Sequence, residues 1–195
     1  DAVSMLVSLG IIEGKPDGSY APTENVDRAQ MAKMLSVIMN KGVDNSALYQ
    51  SVNSGLVDVN TNWAKGHINY CYTTGIIAGR GNGKFDPSAT VTALEAAKML
   101  LVAVGYDPKI EGFEGADWAI NVSVRADEQG IFEGFTKDLS APLNRDDAAL
   151  LIYNALDVEM IQSYTTNNYP IAYSDHRTIL ADKYGVIKVQ GVVVA

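Results

Sequence analysis

Two arginines, Arg28 and Arg145, each stand directly after a residue suited to cap a helix, Asp27 and Asn144. That spacing puts each guanidinium at the first helical position. The first turn of a helix carries unsatisfied N–H groups and a partial positive charge, and so attracts carboxylate or phosphate. A guanidinium there adds a forked donor that matches a carboxylate in bidentate fashion. Lys15 and Arg80 hold equivalent places in two glycine-rich loops and could flank a groove. Trp63 and Trp118 offer flat apolar faces for a sugar ring, with an indole N–H to spare. The chemistry these residues fit is capture of an acidic sugar. Each has a plainer reading beside it. An arginine so placed can pair with a neighbouring Asp, and tryptophans at equivalent helix starts can pack repeat against repeat. On the first reading, Arg28→Ala and Arg145→Ala each weaken binding at least about tenfold and leave the melting midpoint nearly unchanged.

Other chemistry-bearing residues point to packing. Cys71, the single cysteine, excludes an intramolecular disulfide and a cysteine zinc site, and it aligns with Leu6 and Ala126 as a buried small residue. His67 aligns with Ala2 and Val122 and reads as packed. Met31, Met34 and Met99 form a core face. The stretch from Asp58 to Asn62 begins like a calcium loop, but the sixth position is Trp63 instead of Gly and the twelfth is Asn69 instead of Glu. Ser174, Asp175 and His176 have triad residue types without a nucleophile elbow. No catalytic residue, metal ligand or cofactor is assigned.

The elements that must position the arginines are three copies of one helix start: Val26 to Leu35, Val91 to Leu100 and Leu143 to Ile152. The cap is Asp27, Thr92 or Asn144, and the third helical residue is Gln30, Glu95 or Asp147; at Gln30 it is of the type a capping box wants. Apolar residues then recur at i, i+3, i+4 and i+7. Before the first two helices runs a loop punctuated by glycines, with an aromatic (Tyr20, Phe85) and a proline (Pro22, Pro87) at matching positions. About eleven of roughly 26 aligned positions from Gly10 to Leu35 are identical in the second copy, which is internal repetition. The third copy keeps Trp118 and Gly130 to Gly134 but shortens the loop. The expected fold is mainly α: a closed pseudo-threefold bundle of three helix–loop–helix repeats with short extended segments. Ala32, Ala97 and Ala149 are placed where the helices come closest. The repeats span 1–44, 56–108 and 112–160. Residues 161–195 read as a linker and the β-prone start of a downstream module, with an extended stretch from Tyr184 to Val194, and the sequence reads as a piece of a longer protein.

With 47% hydrophobic and 19% charged residues, the chain can bury a core. A net charge of -8 argues against nucleic acid, whose binding needs clustered Lys and Arg. No apolar run reaches the ~18 residues of a membrane span.

Asp58-Val59, Trp63-Ala64, Gly75-Ile76-Ile77, Gly79, Gly83-Lys84-Phe85, Pro87 and the capped helix together resemble the S-layer homology module. Its signature helix start, Thr-Arg-Ala-Glu, stands here as Asp27-Arg28-Ala29-Gln30, Thr92-Ala93-Leu94-Glu95 and Asn144-Arg145-Asp146-Asp147. The resemblance covers about residues 1 to 156. It implies a pseudo-trimeric helical fold and non-covalent anchoring of a secreted protein to a bacterial wall glycan, often one bearing pyruvate ketals. It further implies binding grooves between repeats that use Arg28, Arg145, Trp63, Trp118 and the backbone of Gly14, Gly79 and Gly134. Ala93 replaces the signature arginine in the second repeat, so three equal grooves are not expected, and the second helix start should contribute little. The alternatives are a self-assembly or protein-docking module of a surface layer, or, less favoured, a wall-glycan hydrolase. The last needs two carboxylates facing a cleft, which the consecutive Asp146 and Asp147 do not supply.

Overall fold

Val26, Val91 and Leu143 each precede a helix cap, and in the computed structural model they join in a closed ring of backbone hydrogen bonds. Val26 N–H donates to the Leu143 carbonyl at 2.8 Å, Leu143 N–H to Val91 at 2.7 Å, and Val91 N–H to Val26 at 3.0 Å. All three side chains are buried. Three equivalent residues bonded head to tail define a pseudo-threefold axis, and a linear stack of repeats cannot make this ring.

The structure describes residues 2–188. Three long helices start at the ring: α2 (Arg28–Met39), α4 (Ala93–Val104) and α6 (Arg145–Ala155). Another helix precedes each of them: α1 (Ala2–Ser8), α3 (Lys65–Thr73) and α5 (Trp118–Glu128). The packing is cyclic. α3 lies on α2 and α5 on α4, while α1, at the start of the described chain, lies on α6. Each repeat's first helix therefore packs on the long helix of the neighbouring repeat.

The caps form as their residue types dictate. The Asp27 carboxylate accepts from Gln30 N–H at 2.7 Å while the Gln30 side-chain oxygen accepts from Asp27 N–H at 3.0 Å. Thr92 and Glu95 make the same reciprocal pair. Asn144 accepts from Asp147 N–H at 2.8 Å, but the Asp147 carboxylate turns to Lys137 at 2.5 Å instead of closing the box.

Ala32, Ala97 and Ala149 are at most 1% exposed, and α4, which carries Ala97, packs against both α2 and α6. Leucine at Ala97 must push α4 away from its neighbours, so Ala97→Leu should lower stability by about 1–3 kcal/mol. A urea melt that leaves the midpoint unmoved would contradict this tight approach.

The segment after Met160 rests on the bundle. β1 (Ile161–Tyr164) pairs antiparallel with β2 (Pro170–Ala172), with a bulge between Ile161 and Ser163. Thr178 caps α7 (Ile179–Tyr184), whose Ile179 and Leu180 are buried. Tyr184 hydroxyl donates to the Ile38 carbonyl of α2 at 3.2 Å, and Tyr164 hydroxyl donates to Glu111 at 2.9 Å. Of the extended stretch expected from Tyr184 to Val194, Tyr184 ends α7 and residues 185–188 form no strand; residues 189–195 lie outside the described residues.

Candidate functional site

Each signature arginine crosses from its own repeat into the loop of the next. Arg28 Nε–H donates to the Phe85 carbonyl at 2.8 Å and Nη2 to the Ala78 carbonyl at 2.8 Å, with the guanidinium 4.3 Å from the Phe85 ring centroid. Arg145 repeats this on the first loop. Its Nε–H donates to Tyr20 at 2.7 Å and Nη2 to Glu13 at 2.9 Å, 5.0 Å from the Tyr20 ring. The matching aromatic of each loop is thus the platform on which the arginine lies.

Arg28 is 4% exposed, and Arg145 is half-buried. Burial, and then the nearby Arg80, push the Arg28 pKa down to about 10. Among the described residues no carboxylate lies within 4.0 Å of either guanidinium. The expected alternative of an Asp partner is therefore not what the structure shows: the acceptors are neutral carbonyls. They occupy two of the five N–H donors of each arginine, and among the described residues the others have no protein acceptor. A buried cation whose hydrogen bonds go to neutral carbonyls, with carboxylates such as Glu95 acting only at longer range, is a site where a contacting anion is favoured.

Two grooves form around these arginines. The first, of about 350 Å³, brings together Arg28, Gly79, Arg80 and Trp118, with Glu95, Lys98 and Glu114. The second, of about 420 Å³, brings together Arg145, Gly14 and Lys15, with Glu13, Gln30 and Lys33. Trp118 lies beside Lys98, whose ammonium is 5.8 Å from its ring. Trp63 lines neither groove; it is 59% exposed, with its ring edge-on to His67 at 6.4 Å. Gly134 also stands apart, in a left-handed conformation that a residue with a Cβ would strain, near Leu150.

The helix starts themselves do not act as expected from their sequence. Arg28 N–H and Ala29 N–H donate to Ala89 and Pro87 at 2.9 and 3.0 Å, and Gln30 N–H goes to its cap. Arg145 N–H and Asp146 N–H donate likewise to Glu24 and Pro22, and Leu94 N–H to Leu139. The neighbouring repeat's loop carbonyls fill the helix N-termini, so the guanidinium side chains are the groups left to meet an anion. The crossing also moves the consequence of Ala93. The loop it deprives of an arginine is that of the third repeat, while Arg80 stands in the Arg28 groove, paired with Glu95 at 2.8 Å.

Lys33, Lys98, Gln30 and Glu95 escaped the sequence reading as site residues. The two lysines carried a signal: a charge at the same place of both helices, beside core residues, with Leu150 in the third.

Away from the grooves, Ser36 Oγ lies 2.6 Å from His67 Nδ1, and His67 Nε2 lies 3.6 Å from Asp44. Ser36 also donates to the Lys33 carbonyl, and Ser36 and His67 are both buried between α2 and α3. Burial lowers the His67 pKa, opposed by Asp44. This contact joins two helices. Cys71 is fully buried, and burial pushes its thiol pKa up.

The S-layer homology domain family matches residues 1–32 and 57–97. A cell surface protein of Thermoanaerobacter kivui is 32% identical over 162 residues, covering 83% of this chain and 20% of that protein. An S-layer protein of Bacillus licheniformis is 33% identical over 112 residues, 57% of this chain and 12% of its own length. An amylopullulanase of Thermoanaerobacterium thermosulfurigenes is 30% identical over 171 residues, 80% of this chain and 9% of its own length. The chain thus spans a fifth or less of these relatives. The matched segments contain the Gly-aromatic-Pro loops and the first turns of α2 and α4, and with them Arg28, Gly14, Lys15, Gly79 and Arg80 of the grooves; Arg145 and Trp118 lie outside them. Two segments of the chain thus match the S-layer homology domain family, and its relatives include cell surface and S-layer proteins.

Proposed function

We propose that this chain anchors a surface protein non-covalently to the bacterial cell wall by binding an anionic, pyruvylated wall glycan in the grooves at Arg28 and Arg145. One observation carries the reading. Two equivalent guanidinium groups, one of them almost wholly buried, face grooves, and among the described residues neither has a carboxylate within 4.0 Å. A ligand carboxylate offset by such a group recovers desolvation already incurred in folding, and the forked donors match its geometry. Trp118 and the flanking Lys98 suit a sugar ring bearing that charge. Gly79 allows the second repeat's loop its close turn, since a Cβ there would stand 2.9 Å from the Lys84 carbonyl oxygen.

The relatives' names speak of cell surface and S-layer proteins, which supports a place at the cell wall or cell surface. An amylopullulanase among them fits a module that accompanies other domains, and no catalytic role is given to this chain. Acidity of the whole chain, at net charge -8, makes the local cations decisive.

Purified wall polysaccharide tests the reading. The chain should sediment with native polysaccharide and remain in solution with chemically depyruvylated material. The double variant Arg28→Ala/Arg145→Ala should lose at least about tenfold in affinity, the loss of charge-assisted hydrogen bonds. Equal binding of both polysaccharides would reject the pyruvylated ligand, and equal binding by the double variant would reject the grooves.

A further inference from the structure

The two grooves differ at the third residue of the long helix, and the geometry points to Gln30 as a ligand-contacting residue that makes the Arg145 groove the tighter of the two for an anion. This inference rests on the proposed binding of an acidic glycan.

In the Arg28 groove the position is Glu95. One of its oxygens accepts from Thr92 N–H at 3.1 Å, and the other holds Arg80 at 2.8 Å. The carboxylate thus stands in the groove with its own cation tied to it. A ligand carboxylate entering there meets a like charge and must draw Arg80 away. In the Arg145 groove the position is Gln30. Its side-chain oxygen accepts from Asp27 N–H at 3.0 Å, which fixes the orientation of the amide. The side-chain NH₂ is consequently the end turned from the cap, and among the described residues it has no acceptor. Lys15, equivalent to Arg80, is held by Glu24 and not by this helix. One groove therefore offers a neutral donor where the other offers a guarded carboxylate.

Substitution by exchange is structurally mild, because Glu95 shows that Glu closes the same capping box. Calorimetry on the full chain, with a methyl glycoside bearing a 4,6-linked pyruvate ketal as probe, reads both grooves. Gln30→Glu should weaken the tighter site at least about tenfold, through loss of a donor and like-charge repulsion. Glu95→Gln should strengthen the weaker site, because Arg80 is released. In nuclear magnetic resonance spectra the Gln30 side-chain amide signals, identified by their loss in Gln30→Glu, should shift as probe is added. If Gln30→Glu binds like the parent and those signals stay still while Arg145→Ala weakens binding, the role of Gln30 is overturned and the groove reading stands. If Arg145→Ala also binds like the parent, the groove reading falls and this inference with it.

Discussion

Arg28→Ala should lose its groove's anion binding and about 2 kcal/mol of folding stability together, the scale of hydrogen bonds to a charged group. This departs from the expectation that the arginine can be removed without moving the melt. The reason is burial. Arg28 is 4% exposed, and its guanidinium satisfies the carbonyls of Phe85 and Ala78 in the loop of the second repeat. Removing it leaves both carbonyls without that donor and uncovers one face of the fully buried Phe85. Arg145 makes the same bonds from a half-buried position, where water can replace them, so Arg145→Ala should lower stability by about 1 kcal/mol or less while still losing binding. Urea melts with and without ligand separate the two effects. Ligand at about 100 times its Kd should add about 2.7 kcal/mol to the parent, and the contribution from the first groove should vanish in Arg28→Ala. An Arg28→Ala protein as stable as the parent would mean that the crossing between repeats does not hold them together.

Gly105→Ala should destabilise by about 3 kcal/mol or more, from backbone strain and overpacking combined. Gly105 ends α4 at φ +118, where a side chain is strained. A Cβ there would stand 2.4 Å from the Ile161 carbonyl oxygen and 3.2 Å from its nitrogen, both backbone atoms with little freedom to yield. The close approach is how β1 docks beside the end of α4. Loss of the Asp107 N–H bond to the Tyr164 hydroxyl, 2.9 Å, should accompany the substitution. Hydrogen exchange at Asp107 is the direct measurement, and unchanged protection there would show that the hairpin docks without help from the glycine.

Much of this architecture was legible in the chain itself. Caps are local: Asp27, Thr92 and Asn144 sit within three residues of the N–H groups they satisfy, so type and spacing alone located the long helices. Repetition then implied closure, because three helices with matching apolar faces must bury them against one another. The arginines were legible as anion binders for the same local reason, their place beside a cap.

Contacts between repeats settle which groups remain available. The sequence put the first-turn N–H groups at the anion's disposal, yet carbonyls of Pro87, Ala89, Pro22 and Glu24, from neighbouring repeats, take them. It also left Arg80 with no fixed role in its own repeat, and Trp63 and Trp118 as equals. The structure pairs Arg80 with Glu95 in the groove that Arg28 floors, and it leaves Trp63 outside both grooves while Trp118 lines one. A hydrogen-bonding group's valence is local, but the arginines' partners here arrive from residues 50 to 132 positions away. Spacing along one helix cannot reveal that partner, because the ring of Val26, Val91 and Leu143 forms only when all three repeats have folded around it.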